Sequence, residues 1–425
     1  MKNCMKMVYG LVLLAAIASL AFGAGAVNAA DPVRISFMIW DEVQRPVFDE
    51  IVAEFMEVNP EIDVEIQLTP WSQYWTKLDA AAGAGEAPDV FWMNTFMTKY
   101  TDAGILEPLD PYIDAAGLNR AAWLDTTMNA YADEGVQYAM PKGMDTVVVA
   151  FNRNIFEKYS VDVPAEGWSW AEFVAKGAEL RDAIAANGGD EYALVMEIDS
   201  AQPSYIQLLS QDGLRIFDES EKGTDLDAPE AVAAFADIVS LIDEKIMPDF
   251  RVLSDTKATD LFLSEKAGMV YVGSWKSSVL DEASFASEIG LVKMPLRTID
   301  TCAIGGLGYS MSAFSENKDA AWKLIEFLSG AESNRIQAEA RIEIPAYLAA
   351  QEAYLPAFKH IDGSVFIEQG VSSVRFPSHR PLATTISIMG DYAAKIFSKE
   401  MTPGEGVAEM AEAIIEAVAE YRADM

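Results

Sequence analysis

Histidine is nearly missing from this chain. There are 2, His360 and His379, and neither stands in a metal-binding or nucleophile motif. No H-E-x-x-H, no G-x-S-x-G and no calcium-loop spacing occurs. The common hydrolase and metal-site readings therefore have nothing to rest on, and no catalytic residue, metal or cofactor is expected. Cysteine is as scarce. Of the 2 cysteines, Cys4 lies in an N-terminal targeting segment, so Cys302 would be alone and no intrachain disulfide forms. Positive charge is short too: 31 basic residues stand against 66 acidic ones, a formal net charge of -35. That excludes nucleic acid, which needs a basic face, and disfavours anionic membrane surfaces. Beyond the first residues no apolar run approaches the length of a membrane span.

What is present begins with that targeting segment. Lys2 and Lys6 precede an apolar run over 8–20, and Val27-Asn28-Ala29 offers small residues for cleavage beside Ala30. Residues 1–29 are read as a secretory signal that is removed, with an uncleaved anchor as the alternative. Cys4 lies before the apolar run, so no lipoprotein acylation site is seen. The expected location is the periplasm. The chain is 425 residues long with 51% hydrophobic content, enough for two sizeable cores.

Residues 138–153, YAMPKGMDTVVVAFNR, organise the rest. Pro141-Lys142-Gly143 reads as a corner carrying polar residues, and the unbroken apolar run after it reads as a strand buried on both faces. The stretch is expected to carry the chain from one lobe into another.

Before it, residues 33–40, 62–68 and 89–93 read as strands, with amphipathic helices over 46–58 and 71–82 between them. This βαβαβ order predicts a parallel sheet with right-handed crossovers, whose ligands bind beyond the carboxyl ends of the strands. Those ends hold Trp40, Asp41, Trp71 and the residues from Trp92 to Asn94. Gly83-Ala84-Gly85 is not a dinucleotide fingerprint, because it follows a helix and lacks the third glycine. Short helices are expected over 98–105 and 111–116. Farther on, Ser169 and Glu172 predict a capping box. A helix over 229–245, a strand over 267–272 ending in Gly273-Ser274-Trp275, a helix over 319–329 and a tail helix over 407–421 follow.

Five features then resemble one family, in order. They are the strand ending in Trp40; Ala87-Pro88-Asp89-Val90; the stretch from Tyr138 to Asn152 with Trp168-Ser169-Trp170 behind it; Gly268-Met269-Val270-Tyr271-Val272-Gly273-Ser274-Trp275; and Gly305-Gly306-Leu307-Gly308-Tyr309-Ser310 with the helix after it. The chain is similar to the extracellular solute-binding proteins of sugar ABC importers, the group that includes maltose-binding proteins. The resemblance implies an α/β, two-lobed periplasmic-binding-protein fold, each lobe a mixed, mostly parallel sheet flanked by helices and joined by hinge crossovers. It implies lobes of 31–144 plus 301–345 and of 145–300 plus 346–425, with a carbohydrate in the cleft and hinge closure over it. It also implies delivery to the membrane permease subunits of an importer by a monomeric receptor that takes no nucleic acid.

A sugar needs flat apolar surface for its CH faces and fixed donors and acceptors for its hydroxyls. Trp40, Asp41, Trp71, Trp92, Asn94, Lys142, Asp145, Tyr205, Trp275 and Arg380 are the candidates, with Gly273, Gly305 and Gly306 allowing close backbone approach. Each has a plainer alternative. Trp40, Trp71 and Trp92 could be core residues. Asp41 could be a solvated loop acid, and Asn94 a helix cap. Lys142 and Asp145 could pair with each other. Gly305 and Gly306 could be turn glycines, and Arg380 a surface ion pair. Tyr205 rests on the resemblance alone. Leu382-Ala383-Thr384 follows Arg380-Pro381 where the family often has an aromatic ring, which leaves the ligand type open. The rival class is a secreted glycoside hydrolase using two carboxylates. A sugar acid, polyol or polyamine in the same fold is the other alternative.

Overall fold

The computed structural model describes residues 31–424 apart from 199, 218–222 and 377–379. The expected signal segment, and His379 in the stretch before Arg380, lie outside the described residues.

Strand β1 (Val33–Ile39) is flanked by β2 (Ile62–Leu68) and β3 (Val90–Met93) and runs parallel to both. The helices Arg45–Val58 and Trp71–Gly83 make the two crossovers. Phe48, Ile51, Val52 and Phe55 face inward from the first, at the spacing of one helical face. Asp89, at the foot of β3, ties the layer together. It accepts hydrogen bonds from the Ser36 amide at 2.8 Å and the Ser315 hydroxyl at 2.6 Å.

After a small hairpin of β4 (Ala132–Asp133) and β5 (Val136–Gln137), β6 (Ala139–Asp145) enters the same sheet. The corner expected at Pro141-Lys142-Gly143 is instead a continuous strand. Leu307 pairs with Gly143 and Gly308 with Pro141, so Lys142 is left out of register as a bulge. Proline tolerates this place because a bulge does not need its missing N–H.

The chain leaves at Thr146, whose hydroxyl donates to the Phe366 carbonyl at 2.9 Å. It builds a second sheet from β7 (Val147–Asn152), β8 (Tyr192–Val195), β9 (Ala267–Gly273) and β10 (Ile289–Val292). As expected, β7 is buried at every residue, with β9 and β10 on its two edges. Only β8 and β9 are parallel here, so this sheet is mixed without being mostly parallel. The expected capping box is present: Ser169 N–H donates to Glu172 at 2.7 Å, and the Glu172 amide donates back to Ser169.

Strand β11 (Ala303–Met311) returns to the first sheet between β3 and β6. β12 (Ile344–Pro345) adds to the free edge of β6, and β13 (Val374–Arg375) pairs with the start of β11. The seven-stranded and four-stranded sheets each carry a core. One is built on Phe37, Phe48, Phe55, Trp92 and Tyr309, the other on Val149, Phe173, Phe235, Met269 and Tyr271. The tail helices Leu382–Phe397 and Pro403–Asp424 pack on the second core through Met389, Phe397, Met410 and Ile414. Cys302 is buried at the return crossover, where desolvation pushes its thiol up to about 12. Among the described residues no helix is long and apolar enough to cross a membrane.

Candidate functional site

The carboxyl ends of β1, β2 and β3 converge on an aromatic group. The Trp40 ring, at the end of β1, lies 5.3 Å from Trp71, 4.8 Å from Tyr74, 5.8 Å from Trp75 and 5.0 Å from Trp92, centroid to centroid. Trp71 and Trp75 are one helical turn apart on the helix that follows β2, so both rings come to the same side. Tyr74 anchors this helix by donating from its hydroxyl to the Trp92 carbonyl at 2.8 Å. The group grades outward. Trp92 is fully buried, Trp40 and Trp75 are half-buried, and Trp71 is 47% exposed. The buried indole N–H groups of Trp75 and Trp92 have no acceptor among the described residues.

Beneath the rings is a buried polar cluster. The Lys142 ammonium sits 5.2 Å from the Trp92 ring and 5.7 Å from Phe48, and pairs with Glu343, both side chains being fully buried. Asp145, three residues along β6, is in hydrogen-bond contact with the Glu343 carboxyl. Burial first, and the Glu343 charge second, push Asp145 well above the usual carboxylate range against the pull of Lys142. Burial also raises Glu343, with Lys142 opposing. Gly143 makes the cluster possible, since a Cβ there would lie 1.9 Å from Glu343 Cγ. Asp41 adds negative potential at both carboxyls while its own Oδ1 accepts from the Val43 amide at 2.8 Å.

The other expected residues divide. Asn94 is not the helix cap: its Oδ1 accepts from the Phe96 amide at 2.8 Å in a turn before the helix Met97–Asp102, whose own N-cap is Phe96. Gly306 lets β11 approach β6, for a Cβ there would be 2.5 Å from the Gly143 carbonyl oxygen. Gly305 faces Gln202, whose buried Nε2 has no acceptor among the described residues. Gly305 and Gly306 also line a small hollow with Thr95, Thr127 and Tyr131. On the second sheet Trp275 is half-buried and folds over Gly273, whose Cβ would lie 2.2 Å from the ring.

Two residues are not brought to the aromatic group. Tyr205 is 2% exposed and packs on Phe235 and Phe397 in the second core, 5.1 and 6.2 Å between centroids. Its helix, Tyr205–Gln211, is buried on nearly every side, so the ring has no cleft face to occupy. Arg380 is held by Asp102 at 2.6 Å and by Asp133, and Tyr421 of the last helix donates to the same Asp102. The ion-pair alternative is the one the structure takes, and it ties the tail to the first-sheet side. Arg380→Ala and Asp133→Ala are expected to couple by about 0.5–1 kcal/mol in a double-mutant cycle of urea unfolding, because the pair is partly exposed. The coupling should shrink in high salt. Additive effects would show that the contact holds nothing.

Among the described residues no group of three or more histidines, cysteines and acids is placed to hold a metal ion. What the arrangement offers is a graded cluster of aromatic rings, mostly set edge to face, that reaches solvent at Trp71. The family model of bacterial extracellular solute-binding proteins matches residues 41–335. The chain belongs to that family. This solute-binding protein is similar to a putative binding protein of Brucella abortus and to the maltotriose-binding protein of Pyrococcus abyssi. The first is 26% identical over 324 residues, covering 74% of this chain and 76% of the relative. The second is 24% identical over 336 residues, covering 76% and 67%. The structure of the substrate-binding protein Lmo0181 from Listeria monocytogenes, in complex with cycloalternan, superposes with a TM-score of 0.84 at 24% identity. The match covers 92% of this chain and all of that one.

Sequence reasoning missed Trp75 and Glu343. Trp75 was legible, four residues after Trp71 on one helix. Glu343 carried a weaker signal, a lone acid between Ile342 and Ile344 just before Pro345.

Proposed function

We propose that this solute-binding protein takes a carbohydrate in the cleft between its lobes and delivers it to the membrane permease of an ABC importer. The observation that carries the reading is the Trp40–Trp71–Trp75 cluster, open at Trp71, with Asp41 next to Trp40 in the chain. Aromatic faces take sugar CH surfaces, and the carboxyl oxygens take hydroxyl protons. The sugar ligands of the maltotriose-binding relative and of the cycloalternan complex support it. A neutral sugar is favoured over an anionic one. Lys142 and Arg380, the two cations among the candidate residues, are both paired with carboxylates. Lobes of 31–144 plus 301–345 and 145–300 plus 346–425 are part of the reading; the two sheets support it, except that Asp145 at the end of β6 and β13 (Val374–Arg375) pair within the first sheet. Export with loss of residues 1–29, and action as a monomer rather than as an enzyme, complete the proposal.

Thermal unfolding of the mature protein against neutral sugars, sugar acids, polyols and polyamines tests it, since a ligand of the native state raises the melting temperature. A rise with a neutral sugar is expected. A rise with polyamines alone would remove the carbohydrate, and turnover of a panel sugar would restore the hydrolase. For the sugar that binds, Trp71→Ala and Trp275→Ala should each weaken affinity by about 1–3 kcal/mol with the fold retained. Unchanged affinity in a folded variant takes that ring out of the site.

A further inference from the structure

The buried cluster holds two carboxyls in contact and one ammonium. Lys142 meets Glu343 directly, so the negative charge belongs on Glu343. Glu343 Oε1, fully buried, has no hydrogen-bond donor among the described residues, and the Asp145 carboxyl is its neighbour. Two adjacent buried carboxyls cannot both ionise beside a single cation, and such a pair titrates as one unit. The remaining groups facing the pair do not supply a second positive charge. Asp41, after β1, adds negative potential. Tyr309 on β11, Tyr354 on the helix Gln351–Tyr354 and Cys302 before β11 are all pushed up by burial and stay neutral.

We infer that Asp145 and Glu343 share one proton, with Asp145 the neutral acid that donates to Glu343 Oε1, and that Asp145 therefore meets the ligand as a carboxylic acid rather than a carboxylate. Glu343 is a positioning residue. It holds the Asp145 hydroxyl inward and leaves the Asp145 carbonyl oxygen as a fixed acceptor. The ligand contact rests on the carbohydrate reading above; the proton does not.

The test needs no ligand, so its failure is separate from failure of that reading. Infrared spectra of the full mature protein at neutral pH should show a carboxylic-acid C=O band. Asp145→Asn removes that group and should lose the band while folding normally, because its amide N–H can still donate to Glu343. Glu343→Gln should lose the band as well, since Asp145 can then ionise beside Lys142. The rising-pH loss of stability expected of a carboxyl raised in the folded state should disappear in Asp145→Asn. No band in the wild-type protein overturns the proposal without any variant. A band that survives in Asp145→Asn, or an Asp145→Asn protein that fails to fold, overturns it too.

Discussion

Lys142→Met lowers the stability of this protein by about 3–5 kcal/mol at neutral pH, the usual cost of stranding one member of a buried ion pair. The ammonium sits under the Trp92 ring with no exposed surface, and Glu343 opposite it has none either. Methionine fills the same volume and keeps the contact with Phe48 and Trp92. It leaves Asp145 and Glu343 facing each other, with Asp41 nearby and no cation. Acid should relieve the loss. The stranded carboxyls are raised in the folded state, so that state binds protons that the unfolded chain releases above about pH 4. The gap between variant and wild type therefore narrows as the pH falls. Adding Glu343→Leu should restore most of the stability, since a buried pair replaced by apolar groups of similar size is often neutral. Urea unfolding of the three proteins at neutral and acid pH measures all of this. A single variant as stable as wild type would mean that Lys142 is not needed to neutralise the cluster.

Asp281→Ala is the second large effect. Asp281 ends the helix Ser277–Asp281 fully buried. It accepts from the amides of Lys359 at 3.0 Å, His360 at 2.8 Å and Ile361 at 3.0 Å, with Arg341 Nε 3.4 Å away. Alanine leaves those amides without an acceptor and Arg341 short of a partner, a cost of about 3 kcal/mol or more. Asn keeps one acceptor and should lose about half as much. The pH sign is opposite to that of Asp145. Burial pushes Asp281 up, but the Ile361, His360 and Lys359 amides and Arg341 together outweigh it and hold the carboxyl below its usual range. Its stabilisation is thus present above about pH 4 and is lost as the pH falls through the lower folded value. Acid unfolding should begin at higher pH in wild type than the loss of Asp281 alone would allow only if other carboxylates share the role. In Asp281→Asn the acid arm should be shallower. Equal acid arms in the two proteins would show that the amide cage does not favour the charge.

The order of elements in the first sheet, the buried central strand after Thr146, the capping box at Ser169 and the family can all be read from the amino-acid sequence. These depend on periodicity, turn chemistry and motifs read within a few tens of residues. Trp40 and Trp71 were legible as strand-end residues for the same reason, and the structure gathers their rings at the carboxyl ends of β1 and β2. The tertiary structure decided what the charged residues do. Lys142 is 201 residues from the Glu343 it neutralises, and Arg380 is 247 from the Asp133 that holds it. A lysine or an arginine reads alike in a short window whether it awaits a ligand or is already matched. Tyr205 shows the same limit for rings, since only packing against Phe235 and Phe397 makes it core. Burial and partner choice belong to the folded chain, because desolvation and Coulomb energy depend on which distant residues arrive at the same place.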